Sequence, residues 1–190
     1  MTEKEVLEIF ERDGAILKGH FLLTSGRHSD IYFEKFQVLQ HPEDVQTLCS
    51  ELAGRFRGEG VELVIGPTTG GVLIAYEVAK NLGTRFIFAE SEDGRRILKR
   101  GFRIGEGERT LVVDDVLTTG RSIGEVIDIV RQNRGEIVGI GCLVDRSGGK
   151  VSFGYRLEAL LTVEAATYDP GECPLCREGI ELVKPGSRKF

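Results

Sequence analysis

The residues with the clearest chemical use lie in one run, TLVVDDVLTTGRS at 110–122. An apolar stretch ends in two adjacent carboxylates, Asp114 and Asp115. Val116 and Leu117 follow, and then Thr118, Thr119, Gly120, Arg121 and Ser122. The pattern predicts a buried strand that runs into the start of a helix, where backbone N–H groups are unpaired and the dipole is positive. The hydroxyls of Thr118, Thr119 and Ser122 add donors, and Gly120 lets the backbone close on an anion. This is a phosphate cradle. The carboxylates repel a phosphate, so they suit neighbouring hydroxyls or a phosphate-bound Mg²⁺. A phosphate on one side and hydroxyls on the other describe a ribose 5-phosphate.

Three further stretches carry candidate chemistry. The loop GPTTGG at 66–71, with Thr68, Thr69 and Gly70, exposes backbone N–H groups to a second anion. The stretch 93–107 holds Arg95, Arg96, Lys99, Arg100 and Arg103 between glycines. Such a loop can close over an anionic leaving group and exclude water. Arg146, in LVDRSGG, follows an apolar run and sits among small residues. A guanidinium there can fork onto a carboxylate.

These stretches need a frame that brings them together. LVIG (63–66), RFIFAE (85–90), TLVVDD (110–115), EIVGIGCLVD (136–145) and LEALLTV (157–163) read as short buried strands. Amphipathic helices are expected between them, one with Val72, Tyr76, Ala79 and Leu82 on one face and ending at Gly83, another with Ile123, Val126, Ile127 and Val130 and stopped by Gly135. Alternation of this kind predicts an α/β fold with a parallel sheet and helices on both faces. Ligands in such sheets bind beyond the carboxyl ends of the strands, where all four stretches fall. Ahead of this core, Thr2 and Glu5 have capping-box spacing for a helix ending near Gly14. Residues 15–39 read as strands and turns, and Pro42 to about Arg57 as a helix with Pro at its first position.

The chain has 190 residues, a net charge of −5 and 25 glycines. Its length fits a single domain, 1–190, with 1–40 forming a small lid, 60–165 the core and 170–190 an extension. The acidic balance argues against a nucleic-acid partner. No apolar run reaches a membrane span, and MTEKEVLEIFERDG is no signal peptide, so the expected location is the cytoplasm. Four cysteines in this length make no disulfide framework. The extension does contain a CxxC, Cys173 and Cys176. It reads as a tight turn, with a redox pair or half a zinc site as alternatives; a tetrahedral zinc would require Cys49, Cys142 or another subunit, because all three histidines lie in the first 41 residues.

The run 110–122 resembles the phosphoribosyl-diphosphate motif of the type I phosphoribosyltransferases. The run GHFLLTSGRHSDIYFEK, 19–35, resembles the substrate-binding segment of the orotate-specific members of that family. The likeness implies a type I phosphoribosyltransferase fold and transfer of a phosphoribosyl group from its diphosphate to orotate. It places the 5-phosphate on residues 118–122, the ribose hydroxyls on Asp114 and Asp115, the diphosphate at Thr68, Thr69 and Gly70, and a flexible hood in 93–107. Orotate falls to Thr118, Arg146, Ser25, Gly26, Tyr32 and Phe33. The implied cofactor is Mg²⁺, held through substrate oxygens without a firm protein ligand. The implied assembly is a homodimer with shared sites. Many members carry lysine where this chain has Thr24, and Tyr-Lys where it has Thr69 and Gly70, which leaves diphosphate charge to Lys99, Arg100 and Arg103. Two other readings are a purine or xanthine salvage transferase, which has no need of Arg146, and a phosphoribosyl-diphosphate sensor, which the acidic first helix opposes.

Overall fold

A computed structural model describes residues 1–23, 25–163 and 166–185; Thr24 lies outside them. The chain opens with α1 (Glu3–Arg12), then β1 (Ile16–Leu22) and β2 (His28–Phe33), then α2 (Phe36–Leu39) and α3 (Pro42–Gly54). The core follows as β3 (Leu63–Pro67), α4 (Gly70–Leu82), β4 (Arg85–Glu92), β5 (Arg95–Ile97), β6 (Arg109–Leu117), α5 (Arg121–Gln132), β7 (Glu136–Asp145) and β8 (Leu157–Thr162). β9 (Thr167–Tyr168) and a single-turn α6 (Pro174–Arg177) complete it.

A six-stranded sheet has the order β5-β4-β3-β6-β7-β8. All pairs are parallel except β4–β5, an antiparallel hairpin. Each central strand is buried on both faces and its residues alternate between two cores. Val64, Leu111 and Val113 join α1, α3 and α4 in one core. Leu63, Ile65 and Val112 join α5 in the other. The period of two, with β-branched residues on both faces, makes these segments strands rather than helices. A second, three-stranded antiparallel sheet, β1-β2-β9, forms the lid.

The strand order positions the site. From β3 the chain crosses through α4 to β4 on one side, and β6 then lies on the other side of β3. α4 covers one face and α5 the opposite face. The loops after β3 and β6 therefore diverge and leave a crevice between them, a topological switch point.

Several local expectations hold and several shift. Thr2 caps α1 in a capping box: its Oγ accepts from Glu5 N at 3.3 Å and Glu5 Oε2 accepts from Thr2 N at 2.7 Å. Gly83 ends α4 in the left-handed region, φ 70°. α3 stops at Gly54 rather than Arg57, and α5 at Gln132, with Arg134 turning the chain at φ 59° before Gly135. The strand expected at 110–115 reaches Leu117, so both aspartates sit inside it. The segment 15–39 also contains α2, and part of the 93–107 stretch is the strand β5 of a hairpin turning at Asp93-Gly94.

Leu52, fully buried where α3 packs on the sheet, tests this packing. Leu52→Ala should destabilise the fold by about 2–5 kcal/mol, seen as a lower denaturant midpoint with an unchanged slope in equilibrium unfolding.

Candidate active site

The crevice is a cleft of about 420 Å³. Its floor is the end of β6, with Asp114, Asp115 and Val116; Thr118 and Ser122 line one side, Pro67, Thr68 and Arg96 another, and Tyr32, Phe33, Lys35 and Arg146 a third. A larger open depression beside α3, about 930 Å³ and lined by Met1, Glu43 and Arg55 among others, brings together only surface ion pairs.

The carboxylate pair is the most constrained feature. Asp114 and Asp115 are 7% and 2% exposed. Asp114 Oδ1 accepts from Asp115 N at 2.8 Å, and Asp115 Oδ1 accepts from Val116 N at 2.6 Å. Lys35 Nζ donates to Asp115 Oδ1 at 2.9 Å and lies 2.7 Å from Oδ2. Asp115 folds back over the start of α4, where a Cβ on Gly70 would fall 1.7 Å from its Oδ2. A side chain at position 70 would therefore have to displace the Asp115 carboxylate from where it meets Lys35. Burial, and then the charge of Asp115, push the Asp114 carboxyl up to about 7.

The cradle forms as the sequence indicates. Residues 114–123 enclose a small cup of about 40 Å³ at the N-terminus of α5, lined by Asp114, Val116, Leu117, Thr118, Thr119, Gly120, Arg121 and Ser122. Gly120 has φ 78°, and a Cβ there would strike Val151 at 2.8 Å and Phe153 at 2.9 Å. Cup and cleft share Asp114, Val116, Thr118 and Ser122, so a phosphate in the cup has the carboxylates beside it. In the 66–71 loop, Thr68 borders the cleft, while Thr69 and Gly70 lie behind it at the start of α4.

The basic hairpin differs in detail from expectation. Lys99 is ion-paired with Glu92, and Arg100 Nε lies 2.8 Å from Glu90. Neither lines the cleft. The cation that enters it is Arg96, whose Nη1 donates to Thr68 O and Oγ1, both at 2.8 Å, and whose Nη2 lies 3.5 Å from Ser122 Oγ. The pairing of Arg96 with Ser91 in the β4–β5 hairpin sends it there. Sequence reading counted Arg96 among the basic residues without singling it out, and it gave Lys35 no role.

Arg146 follows β7, its N–H donating to Leu117 O at 2.8 Å. Asp145 shapes the next turn by accepting from Ser147 N at 2.7 Å and Gly149 N at 3.1 Å. The Arg146 guanidinium stacks 5.1 Å from the Phe33 ring centroid, and its buried Nε has no partner among the described residues. Burial lowers its proton affinity from the ordinary arginine value. Tyr32 and Phe33 line the cleft with it, while Ser25 and Gly26 stand exposed at the β1–β2 turn, outside the lining. The tail cysteines correct another expectation: their neighbours are His20 and His28, not Cys49 or Cys142.

Crevice, cradle and carboxylate pair together define a protein that binds a phosphorylated ribose. Residues 36–152 match the model of the phosphoribosyl transferase domain. Orotate phosphoribosyltransferases from Desulforamulus reducens and Pelotomaculum thermopropionicum are each 56% identical to the chain over the full length of both partners. The crystal structure of orotate phosphoribosyltransferase from Aeropyrum pernix superposes with a TM-score of 0.71 at 29% identity, covering 84% of this chain and 94% of that one. The chain belongs to the phosphoribosyltransferase family, and its full-length relatives are orotate phosphoribosyltransferases.

Asp114 yields a pH test. Its folded-state value, about 7, stands above the ordinary 3.8, so protonation favours the fold; that stabilisation is complete below about pH 4 and is lost as pH rises through 7. Asp114→Asn should gain stability relative to the unsubstituted protein between about pH 5 and pH 8. Unfolding midpoints that keep a constant difference across this range would refute the raised value.

Proposed function

We propose that the chain transfers the 5-phosphoribosyl group from phosphoribosyl diphosphate to orotate, giving orotidine 5′-monophosphate and diphosphate, a step of pyrimidine synthesis. The observation that carries the choice of acceptor is Arg146. A half-buried guanidinium with an unpartnered Nε, stacked on Phe33 beside the ribose-phosphate site, is a receptor for a planar carboxylate. Orotate has that carboxylate and the purine salvage bases lack it.

The side chains divide the work. The backbone N–H groups and hydroxyls of 118–122 hold the 5-phosphate, and Asp114 and Asp115 face the ribose hydroxyls. Arg96 and the Thr68 loop face the diphosphate. The bond between ribose C1 and the diphosphate oxygen loosens first, its electron pair leaving with diphosphate, and the orotate nitrogen attacks C1 from the opposite face while its N–H proton passes to the departing diphosphate. No protein nucleophile is required; catalysis is positioning plus stabilisation of charge on the leaving group. The hard carboxylate oxygens on the cleft floor suit Mg²⁺, which prefers one or two carboxylates together with substrate phosphates. With Lys35 already on Asp115, the ion would be held mainly by substrate oxygens, supplying Lewis-acid and template chemistry.

The hood closes by breaking surface pairs. Lys99–Glu92 is exposed, and Arg100 stands exposed over a half-buried Glu90; exposed pairs contribute little, so both cations are available to a departing diphosphate. We propose a homodimer in which the hood of one subunit serves its neighbour. Supporting it, Phe36 on α2 and Leu73 and Tyr76 on α4, which packs on α2, are 47%, 45% and 51% exposed, an apolar patch suited to a partner. The cysteines are free thiols, which suits the cytoplasm.

A continuous absorbance assay should show orotate consumption that stops when either phosphoribosyl diphosphate or Mg²⁺ is omitted. Arg146→Ala should lower kcat/KM for orotate by about 100- to 1,000-fold. Turnover of a purine in place of orotate would move the reading to salvage. For the hood, Lys99→Ala and Arg100→Ala should each lower kcat/KM by about 100- to 1,000-fold. Mixing either with Arg146→Ala should restore activity in hybrid dimers. Near-normal turnover of both variants would remove the hood from the reaction, and absence of restoration would remove site sharing.

A further inference from the structure

Two histidines and two cysteines meet away from the cleft. His20 on β1, His28 on β2, and Cys173 and Cys176 at α6 each direct one ligand atom into a common space, all four atoms lying within 4.8 Å of one another. None of the four residues lines the cleft. Cys173 Sγ and Cys176 Sγ lie 3.5 and 3.7 Å from His20 Nε2, and Cys176 Sγ lies 3.4 Å from His28 Nδ1. The ring nitrogens are 2.8 Å apart. A tetrahedral ion with metal–nitrogen bonds of about 2.0 Å and metal–sulfur bonds of about 2.3 Å sets neighbouring ligand atoms about 3.3–3.8 Å apart. These three sulfur–nitrogen separations fall in that range, and the ring nitrogens would have to part by about half an ångström.

Proton placement favours an ion. His20 Nδ1 lies 2.8 Å from the carbonyl oxygen of Ile180. A carbonyl only accepts, so Nδ1 carries the proton and donates, leaving the Nε2 lone pair aimed into the cluster, where without an ion it accepts from His28 Nδ1 at 2.8 Å, a proton that metal binding displaces. A carbonyl holding the outer nitrogen of a ligating histidine is the usual outer-shell partner in metal sites. His20, His28 and Cys173 are 2%, 4% and 0% exposed, while Cys176 is exposed and leaves an approach. Two soft sulfurs and two imidazoles in tetrahedral reach select zinc among the common ions.

We infer that His20, His28, Cys173 and Cys176 bind a structural Zn²⁺ that clips the C-terminal segment to the lid. With four protein ligands the ion has no open position, so its work is to hold. The chain beyond the cluster shows what it holds. Val183 N donates to His20 O and Leu22 N donates to Val183 O, both at 2.8 Å, and Lys184 and Pro185 then line the cleft. The ion thereby fixes one wall of the substrate site from outside it.

Metal analysis of the untagged protein, purified under reducing conditions, should find about one zinc per chain. Co²⁺ exchanged for it should give the intense visible bands of a tetrahedral site and near-ultraviolet thiolate charge transfer. Cys176→Ser, at the exposed ligand, should weaken zinc binding by at least about 100-fold, beyond the loss seen for an outer-shell partner, and lower the thermal midpoint. Cys49→Ser should keep full metal content. If His28→Asn fails to fold, Cys176→Ser still decides. A fully reduced protein that takes up neither Zn²⁺ nor Co²⁺ would overturn the inference, as would uptake indifferent to Cys176→Ser. A Cys173–Cys176 disulfide with no metal would also overturn it. None of these readings uses orotate turnover, so failure of the proposed activity would leave the metal result standing.

Discussion

Two carboxylates set side by side at the end of a buried strand lose their hydration and repel each other. The surroundings of Asp114 and Asp115 are organised around that problem. Lys35 neutralises one member, and the short helix α2 that follows it is anchored by Val38 and Leu39 in the core. Gly70 clears the space into which that carboxylate turns. The other member is relieved by a raised proton affinity. Under the proposed reading the pair receives the ribose hydroxyls, because Lys35 and the neighbouring backbone N–H groups compensate its charge only in part.

Around this floor, three of the lining cations arrive from different parts of the chain. Lys35 comes from the end of the lid, Arg96 from a hairpin on the sheet edge and Arg146 from the strand next to the carboxylates. Each is positioned by something other than charge attraction: a helix start, a strand register, an aromatic ring. Arg96 also joins the loop after β3 to the start of α5 by bonding Thr68 and approaching Ser122. The two loops are thus braced against each other across the switch point.

The core was legible because its signals are local. Period-two burial marks β3, β6 and β7, Thr2 and Glu5 mark the first helix, and TTGRS marks the cradle within a few residues. What escaped depends on distance. Which of the hairpin's basic residues enters the cleft is a matter of register, and a shift of one position turns Arg96 outward. Lys35 gains its role only when α2 meets β6, 80 positions along the chain. The histidines and the tail cysteines are separated by about 150 residues, from 145 for His28 and Cys173 to 156 for His20 and Cys176. No spacing rule joins them, so the CxxC looked like half a site. Gly70 reads in sequence as a loop residue and in structure as a vacancy kept for a carboxylate.

The parallel bridge between Phe21 and Val183 gives the cleft an unusual birth order. Residues 22 and 185 stand in the same wall, yet they leave the ribosome far apart in time. The sheet, the carboxylate pair and the phosphate cradle can all assemble on the nascent chain while one side of the pocket is still being translated. A chain ending before Lys184 would therefore keep the scaffold and lack part of the pocket wall.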